Sequence, residues 1–202
     1  FLTAALVLTI TCCIVGTALT IYVIQFIDSD SIIDLNDLKM NYTTQVYALD
    51  EEGNSVEVQR LNRGENRVWV DIKDIPVYVQ DAFVAFEDER FYSHDGVDFK
   101  RTIAAVLNEV KQMVLPSADY SKFGASTISQ QLVKNINGDV LNRTFDVKIK
   151  EIMQAMNLER HYSKDQILEA YLNYIGLHFN TNGVQAGSRL YFGKDVSELT
   201  LE

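Results

Sequence analysis

The chain has 202 residues, with 18 Lys and Arg against 28 Asp and Glu, a formal charge of −10. That balance excludes a nucleic-acid binder working by bulk attraction, while 47% apolar content is enough to build a core for one domain. The two cysteines, Cys12 and Cys13, are adjacent in an apolar run, which excludes a disulfide framework or a spaced metal site.

Phe1 to Ile27 contains no charged residue and no proline. As a helix rising ~1.5 Å per residue it is roughly 40 Å long, more than a hydrocarbon core of ~30 Å. The reading is a retained membrane anchor at 1–27. A cleaved signal peptide competes with it, but its apolar region would be only about 7–15 residues and a small-x-small cleavage site would follow. Asp28, Asp30, Asp34 and Asp37 come next, an acidic stretch that suits the outer side of a membrane. The chain opens on Phe rather than Met, and residues 198–202 read as a helix just starting, so both ends look cut.

Within 28–70, taken as a stalk, Gln45 to Leu49 and Ser55 to Gln59 alternate in the strand manner about an Asp50-Glu-Glu-Gly-Asn54 turn. Residues 71–202 form the main domain, which reads as almost all helix. Pro76 suits a first helical position, and Val79, Ala82, Phe83 and Phe86 then fall on one stripe. A second helix starts at the cap Asp98 and runs through Ile103, Val106, Leu107, Val110 and Val114; Ser117 to Phe123 is a polar loop. Three further helices are expected near 126–136, 143–161 and 164–175, with Ser163-x-x-Gln166 as a capping box and Gly176 as a stop.

Three stretches carry candidate chemistry. Glu87-Asp88-Glu89 ends an amphipathic helix beside Phe91, Tyr92 and His94. An acidic run of this kind is ordinarily a solvated helix end; the functional reading is a carboxylate desolvated by the rings and raised toward the range of a general base. In Gly124-Ala-Ser126-Thr127-Ile-Ser-Gln130-Gln131-Leu-Val-Lys134, the residues Thr127, Gln130, Gln131 and Lys134 share one helical face, and Ile128, Leu132, Val133 and Ile136 the other. Paired amides with one cation suit hydroxyls and anionic oxygens, and the Gly-x-Ser-Thr start leaves backbone N–H groups free at a helix N-terminus. The third stretch, from Arg143 to Met156, is expected to bury Phe145, Ile149, Ile152, Met153 and Met156, with Arg143, Lys150, Glu151 and Gln154 opposite and Lys148 in reach of Glu151. Residues 122–164 hold seven basic and four acidic side chains, against eleven and twenty-four elsewhere, a basic island that suits a specific anion such as phosphate.

Together these stretches resemble the motifs of the peptidoglycan glycosyltransferase domain (glycosyltransferase family 51) of class A penicillin-binding proteins and monofunctional transglycosylases. Glu87-Asp88-x-x-Phe91-x-x-His94-x-Gly96 is similar to the first motif, and Gly124-x-Ser126-Thr127-x-x-Gln130-Gln131-x-x-Lys134-Asn135 to the second. Arg143, Lys148 and Glu151 match the third, Lys164-x-x-Ile167-Leu168-Glu169-x-Tyr171-Leu172-Asn173 the fourth, and Tyr191-Phe192-Gly193-Lys194 lies in the fifth. The resemblance covers roughly residues 60–202.

It implies a mainly α, lysozyme-like domain behind a transmembrane helix and a short β-hairpin. The implied activity is polymerisation of lipid II into glycan strands at the outer face of a bacterial cell membrane. Glu87 would be the general base. Lys134, Lys148 and Arg143 would meet the leaving lipid diphosphate, with a Mg²⁺ or Mn²⁺ ion bridging phosphate oxygens near Glu151. Ser126, Thr127, Gln130 and Gln131 would bind substrate; Asp88, Phe91 and His94 would shape the pocket; Glu169 and Tyr171 to Asn173 would support the fold. Membrane lipid and a downstream transpeptidase domain are the other implied partners, and nucleic acid is not one. The third motif usually has Arg before its Lys, and here Val147 stands there; Lys150 can replace the charge but not the bidentate geometry. The aromatic-Phe-Gly run expected after Tyr174 is also missing, and Met113 to Pro116 is the apolar piece that would dip into a bilayer. Two other readings remain open: a lysozyme-like glycan hydrolase, and a catalytically silent anchored scaffold.

Overall fold

The computed structural model describes residues 2–27, 33–40, 44–49, 53, 55–61, 66–114, 124–138, 144–177 and 181–201. Its first element, α1 (Leu2–Ile27), is one uninterrupted apolar helix. Thr3–Tyr22 has a mean hydropathy of 2.2 and is not buried against the rest of the chain, so by length and composition it is able to cross a membrane. Its threonines at 9, 11, 17 and 20 donate to carbonyls one turn back at 2.8–2.9 Å, which satisfies each hydroxyl within the helix.

The short α2 (Leu35–Met40) docks through Leu35 and Leu38, which join the core. The Leu35 N–H donates to the Tyr162 hydroxyl at 3.2 Å, and that hydroxyl donates to Asp34 at 3.0 Å. The expected hairpin is present: β1 (Thr44–Leu49) pairs antiparallel with β2 (Ser55–Leu61), Leu49 opposite Ser55, with a bulge between Val46 and Tyr47. Of its turn only Gly53 is described.

The main domain is helical: α3 (Val77–Glu87), α4 (Phe99–Val114), α5 (Ile128–Asn137), α6 (Phe145–His161), α7 (Lys164–Tyr174) and α8 (Val184–Phe192). A small sheet that periodicity did not foresee closes one side. Its central strand β5 (Thr181–Asn182) runs parallel to β3 (Asn66–Arg67) and antiparallel to β4 (Gly176–Leu177). The mainly α, lysozyme-like class is therefore the one observed.

The core lies where α5 and α7 meet. Ile128 and Leu132 of α5 and Ile167, Leu168 and Leu172 of α7 have no exposed surface; each such burial is worth about 1.5–3 kcal/mol. Both helices start on capping boxes, Thr127 with Gln130 and Ser163 with Gln166, so their N-termini are fixed in sequence as well as in packing.

Several expectations shift. Pro76 is the N-cap of α3, one residue before its first helical position, and Gly176 opens β4 rather than stopping α7 in a left-handed cap. Residues 196–198 form a single 3₁₀ turn, and no helix continues through 199–201. On α3 the buried residue is Val84, while Phe86 is 84% exposed. Ile103 and Leu107 of α4 are also exposed, so this apolar side is not core. On α6 the buried residues are Glu151, Gln154, Ala155 and Leu158; Ile152 and Met153 are only half-buried. The polar loop at 117–123, and the Leu115-Pro116 end of the apolar piece before it, lie outside the described residues.

Two residues of α7 tie the preceding segment to the core. The Glu169 carboxylate accepts from the Ile72 N–H at 2.8 Å, and Asn173 pairs with both the N–H and the carbonyl of Val70 at 2.8 Å. Gly183, the N-cap that leads from β5 into α8 across the end of α7, has φ +81°, and a Cβ there would lie 2.6 Å from the Asn173 carbonyl oxygen. Gly183→Ala is therefore expected to destabilise the domain by about 2–3 kcal/mol, read as an earlier urea midpoint with unchanged slope.

Candidate active site

Glu87 is the last residue of α3, and Asp88, its C-cap, turns the chain inward. Asp88 has no exposed surface. Its carboxylate faces the Nε2 of His94 at 3.0 and 3.1 Å and accepts from the Ile128 N–H, the first of α5, at 3.0 Å. Phe91 is fully buried behind it, packed edge-on against His94 and Tyr92 with centroids 6.4 and 5.1 Å apart. Lys164 stands 4.3 Å over the Phe91 ring, donates to the His94 carbonyl at 2.6 Å and pairs with Glu159 at 2.7 Å. Gly96 completes the corner: its φ is +89°, a Cβ would meet the Ala155 carbonyl oxygen at 2.8 Å, and its own carbonyl accepts from the Thr127 hydroxyl at 2.6 Å. Asp88, Phe91 and His94 thus hold the frame of the site from beneath.

The same corner is braced from α4. Arg101 donates to the Glu87 carbonyl at 3.0 Å, a cation placed at a helix C-terminus. Asp98 caps α4 by accepting from the Arg101 N–H at 2.9 Å and also pairs with Arg90. Burial alone would raise the Asp98 carboxyl, but the Arg101 N–H, then the Arg90 guanidinium and the nearby His94, outweigh it and hold it below the usual carboxylate range.

Above this frame, α5 and α6 present polar side chains to each other. Thr127 and Gln130 are buried, and the capping box uses the Thr127 hydroxyl and the Gln130 side chain, so these two do not join Gln131 and Lys134 on an open face. Ser126 is half-buried and accepts from Lys148 at 3.1 Å; Lys148 also reaches Gln130 at 3.5 Å and forms an ion pair with Glu151. Lys134, one turn beyond Gln131, makes no hydrogen bond or ion pair among the described residues. Val147 is half-buried beside Lys148, and Arg143 lies outside the described residues.

The Glu87 carboxylate is half-buried. One of its oxygens accepts from the Gln131 amide at 2.9 Å, and the Gln131 carbonyl in turn accepts from the Tyr171 hydroxyl at 3.3 Å. Glu87 also lines a cleft of about 690 Å³, walled by Phe83, Phe86, Ile175, Leu177 and Tyr191. This cleft and the link to Tyr171 are missed by local patterns, because the residues meet from α3, β4, α7 and α8. Phe86, directly before the acidic run, reads in the sequence as part of the apolar stripe and is instead exposed at the mouth of the cleft.

Among the described residues no group of three or more His, Cys, Asp or Glu side chains is placed to hold a metal ion. The cation at Glu151 is the ammonium of Lys148. The Mg²⁺ or Mn²⁺ ion that the resemblance implies would therefore have to draw most of its ligands from a bound diphosphate beside Glu151.

A glutamate open to an aromatic cleft, with ammonium groups on the neighbouring helices, places the domain among enzymes that handle glycosidic bonds on a lysozyme-like helical frame. The sequence model of the transglycosylase family matches residues 53–202, and the chain belongs to that family; its domain is a peptidoglycan glycosyltransferase. It is 41% identical over 173 residues to penicillin-binding protein 1A of Clostridium acetobutylicum, covering 84% of this chain and 21% of that protein. Penicillin-binding protein 1F of Bacillus subtilis is 41% identical over 170 residues, covering 84% and 22%. Penicillin-binding protein 2D of Bacillus subtilis is 39% identical over 158 residues, covering 78% and 21%. The chain thus spans about a fifth of the length of these curated relatives.

The lowered Asp98 carboxyl ties part of the domain's stability to pH. Its stabilisation is fully present above the unfolded value of about 3.9 and is lost as pH falls through the lower folded value. The stability difference between wild type and Asp98→Asn, from urea unfolding, is expected to be constant near neutrality and to shrink below about pH 4.

Proposed function

We propose that this domain is a membrane-anchored, inverting glycosyltransferase that polymerises lipid II, with Glu87 as its general base. The observation that carries the reading is the Glu87 carboxylate itself, held on one oxygen by Gln131 and bordering the aromatic cleft, with no other partner among the described residues. Aromatic walls suit the apolar faces of a sugar ring. An acceptor saccharide seated there would bring its 4-hydroxyl to Glu87. As the hydroxyl oxygen attacks the donor's anomeric carbon, its proton passes to Glu87 and the bond to the lipid diphosphate breaks on the opposite face, with the electron pair leaving on phosphate oxygen. Attack from the face opposite the leaving group inverts the centre.

A diphosphate needs no protonating acid; it needs positive charge at the breaking bond. Lys148, pre-positioned by Ser126 and Glu151, and Lys134, unpaired among the described residues, supply it from α6 and α5, and Arg143 is the third expected contact. Anchoring is supported by α1, and the exposed Ile103 and Leu107 of α4 give a second apolar surface that would rest against lipid. The relatives are named as penicillin-binding proteins, and a downstream transpeptidase domain is the proposed partner within the longer protein.

Glu87→Gln removes the base but keeps an acceptor for Gln131. It is expected to lower lipid II polymerisation by about 10²–10⁴-fold with the unfolding transition unchanged; a rate near wild type would overturn the assignment. A lysozyme-like hydrolase would instead shorten finished glycan, so the same protein incubated with glycan strands is expected to release no fragments.

A further inference from the structure

The fourth sequence motif divides in the structure. Glu169 and Asn173 bond the 70–72 backbone, as supporting residues would. Tyr171, between them, does something else: its hydroxyl reaches across to α5 and ends on the same glutamine that holds Glu87. Tyr171 is completely buried, and its ring stands edge-on to Phe83, a wall of the cleft, with centroids 6.3 Å apart at 77°.

We propose that Tyr171 is a positioning residue for glycosyl transfer, its hydroxyl locking the Gln131 amide in the one orientation that donates to Glu87. The proposal rests on the reading of Glu87 as the base. A glutamine amide has two ends, an acceptor oxygen and a donor nitrogen, and it can turn over. An ionised carboxylate accepts only, so Glu87 must meet the nitrogen; the oxygen in its place would set two acceptors against each other. The Tyr171 hydroxyl, donating to the amide oxygen, holds the correct orientation from the far side. Burial first, and then the Glu87 and Asp88 carboxylates, push the Tyr171 phenol far above its ordinary value, so it remains a donor at working pH.

The proton taken from the acceptor lands on the Glu87 oxygen that Gln131 leaves free, so the bonded oxygen still accepts and the amide keeps the same orientation before and after proton transfer.

The test is a double-mutant cycle in the full-length protein, with lipid II polymerisation resolved into kcat and KM. Tyr171→Phe is expected to lower kcat roughly 5–10-fold, the weight of one hydrogen bond, with KM unchanged. Gln131→Met is expected to lower kcat by at least as much. The double variant should match Gln131→Met, because Tyr171 acts only through that amide. If Tyr171→Phe leaves the amide oxygen unsatisfied and does not fold, the double variant, apolar on both sides, still does, and its comparison with Gln131→Met decides alone. A further loss of kcat in the double variant, or a stable Tyr171→Phe with wild-type kcat, would overturn the proposal. A Glu87→Gln protein that polymerises at wild-type rate would overturn the base assignment instead, whatever Tyr171 does.

Discussion

Asp88 has no solvent around it, and its partners come from two other segments: the His94 ring and the first N–H of α5. An ionised carboxylate can be buried only if it is paired and hydrogen-bonded, so the turn after α3 and the start of α5 cannot separate without stranding a charge. Glu87 is the next residue back in the chain, and Gln131 is three residues into α5 from Ile128. Once Asp88 is seated, the 2.9 Å contact between Gln131 and Glu87 follows from the helical geometry on either side. The glutamate open to the cleft is thus placed by a neighbour that is closed to it.

The remaining polar groups sort by the same logic. Those that hold elements together are buried or fully paired: Glu169 and Asn173 on the 70–72 backbone, Lys164 between Glu159 and the His94 carbonyl, Thr127 and Gln130 in their cap. Those proposed to face a ligand keep something unspent. Among the described residues Glu87 keeps an oxygen and Lys134 its whole ammonium, while Lys148 shares one charge among Glu151, Ser126 and Gln130. A lysine held in that way gives up part of its field to Glu151 but loses little freedom when an anion arrives. With an overall charge of −10, the local excess of cations on 122–164 would make the proposed site selective for a bound anion rather than attractive over long range.

Much of this was legible residue by residue. The caps at Asp98 and Ser163, the hairpin and the helix order follow from local chemistry, which acts within a turn or two. The face of α6 did not, because periodicity assumes that burial follows apolarity. The partner of α6 is polar where the two helices meet: Asn137 donates to Gln154 at 2.7 Å, Ser129 donates to Glu159 at 2.5 Å, and Lys148 bridges to Gln130. A paired polar interface buries Glu151 and Gln154 and leaves Ile152 and Met153 half-covered. Gln130 was misplaced for a related reason: the pattern that marks a capping box also marks an amide-bearing open face, and only packing tells them apart. The β3–β5–β4 sheet has two-residue strands, too short to show alternation, and the cleft joins residues more than a hundred positions apart.

One contact bears on where the site sits. The Tyr22 hydroxyl, in the last two turns of α1, donates to Asp146 in the first turn of α6 at 2.7 Å. Lys148 is two residues further along, a rise of ~3 Å. With α1 in the bilayer as proposed, its C-terminal turns would mark the headgroup boundary, and this contact would hold Lys148 near it. A lipid-linked diphosphate is confined to that same depth by its own hydrocarbon chain. The anchor would then fix the height of the cation as well as tether the domain, and the leaving group would reach Lys148 without leaving its membrane.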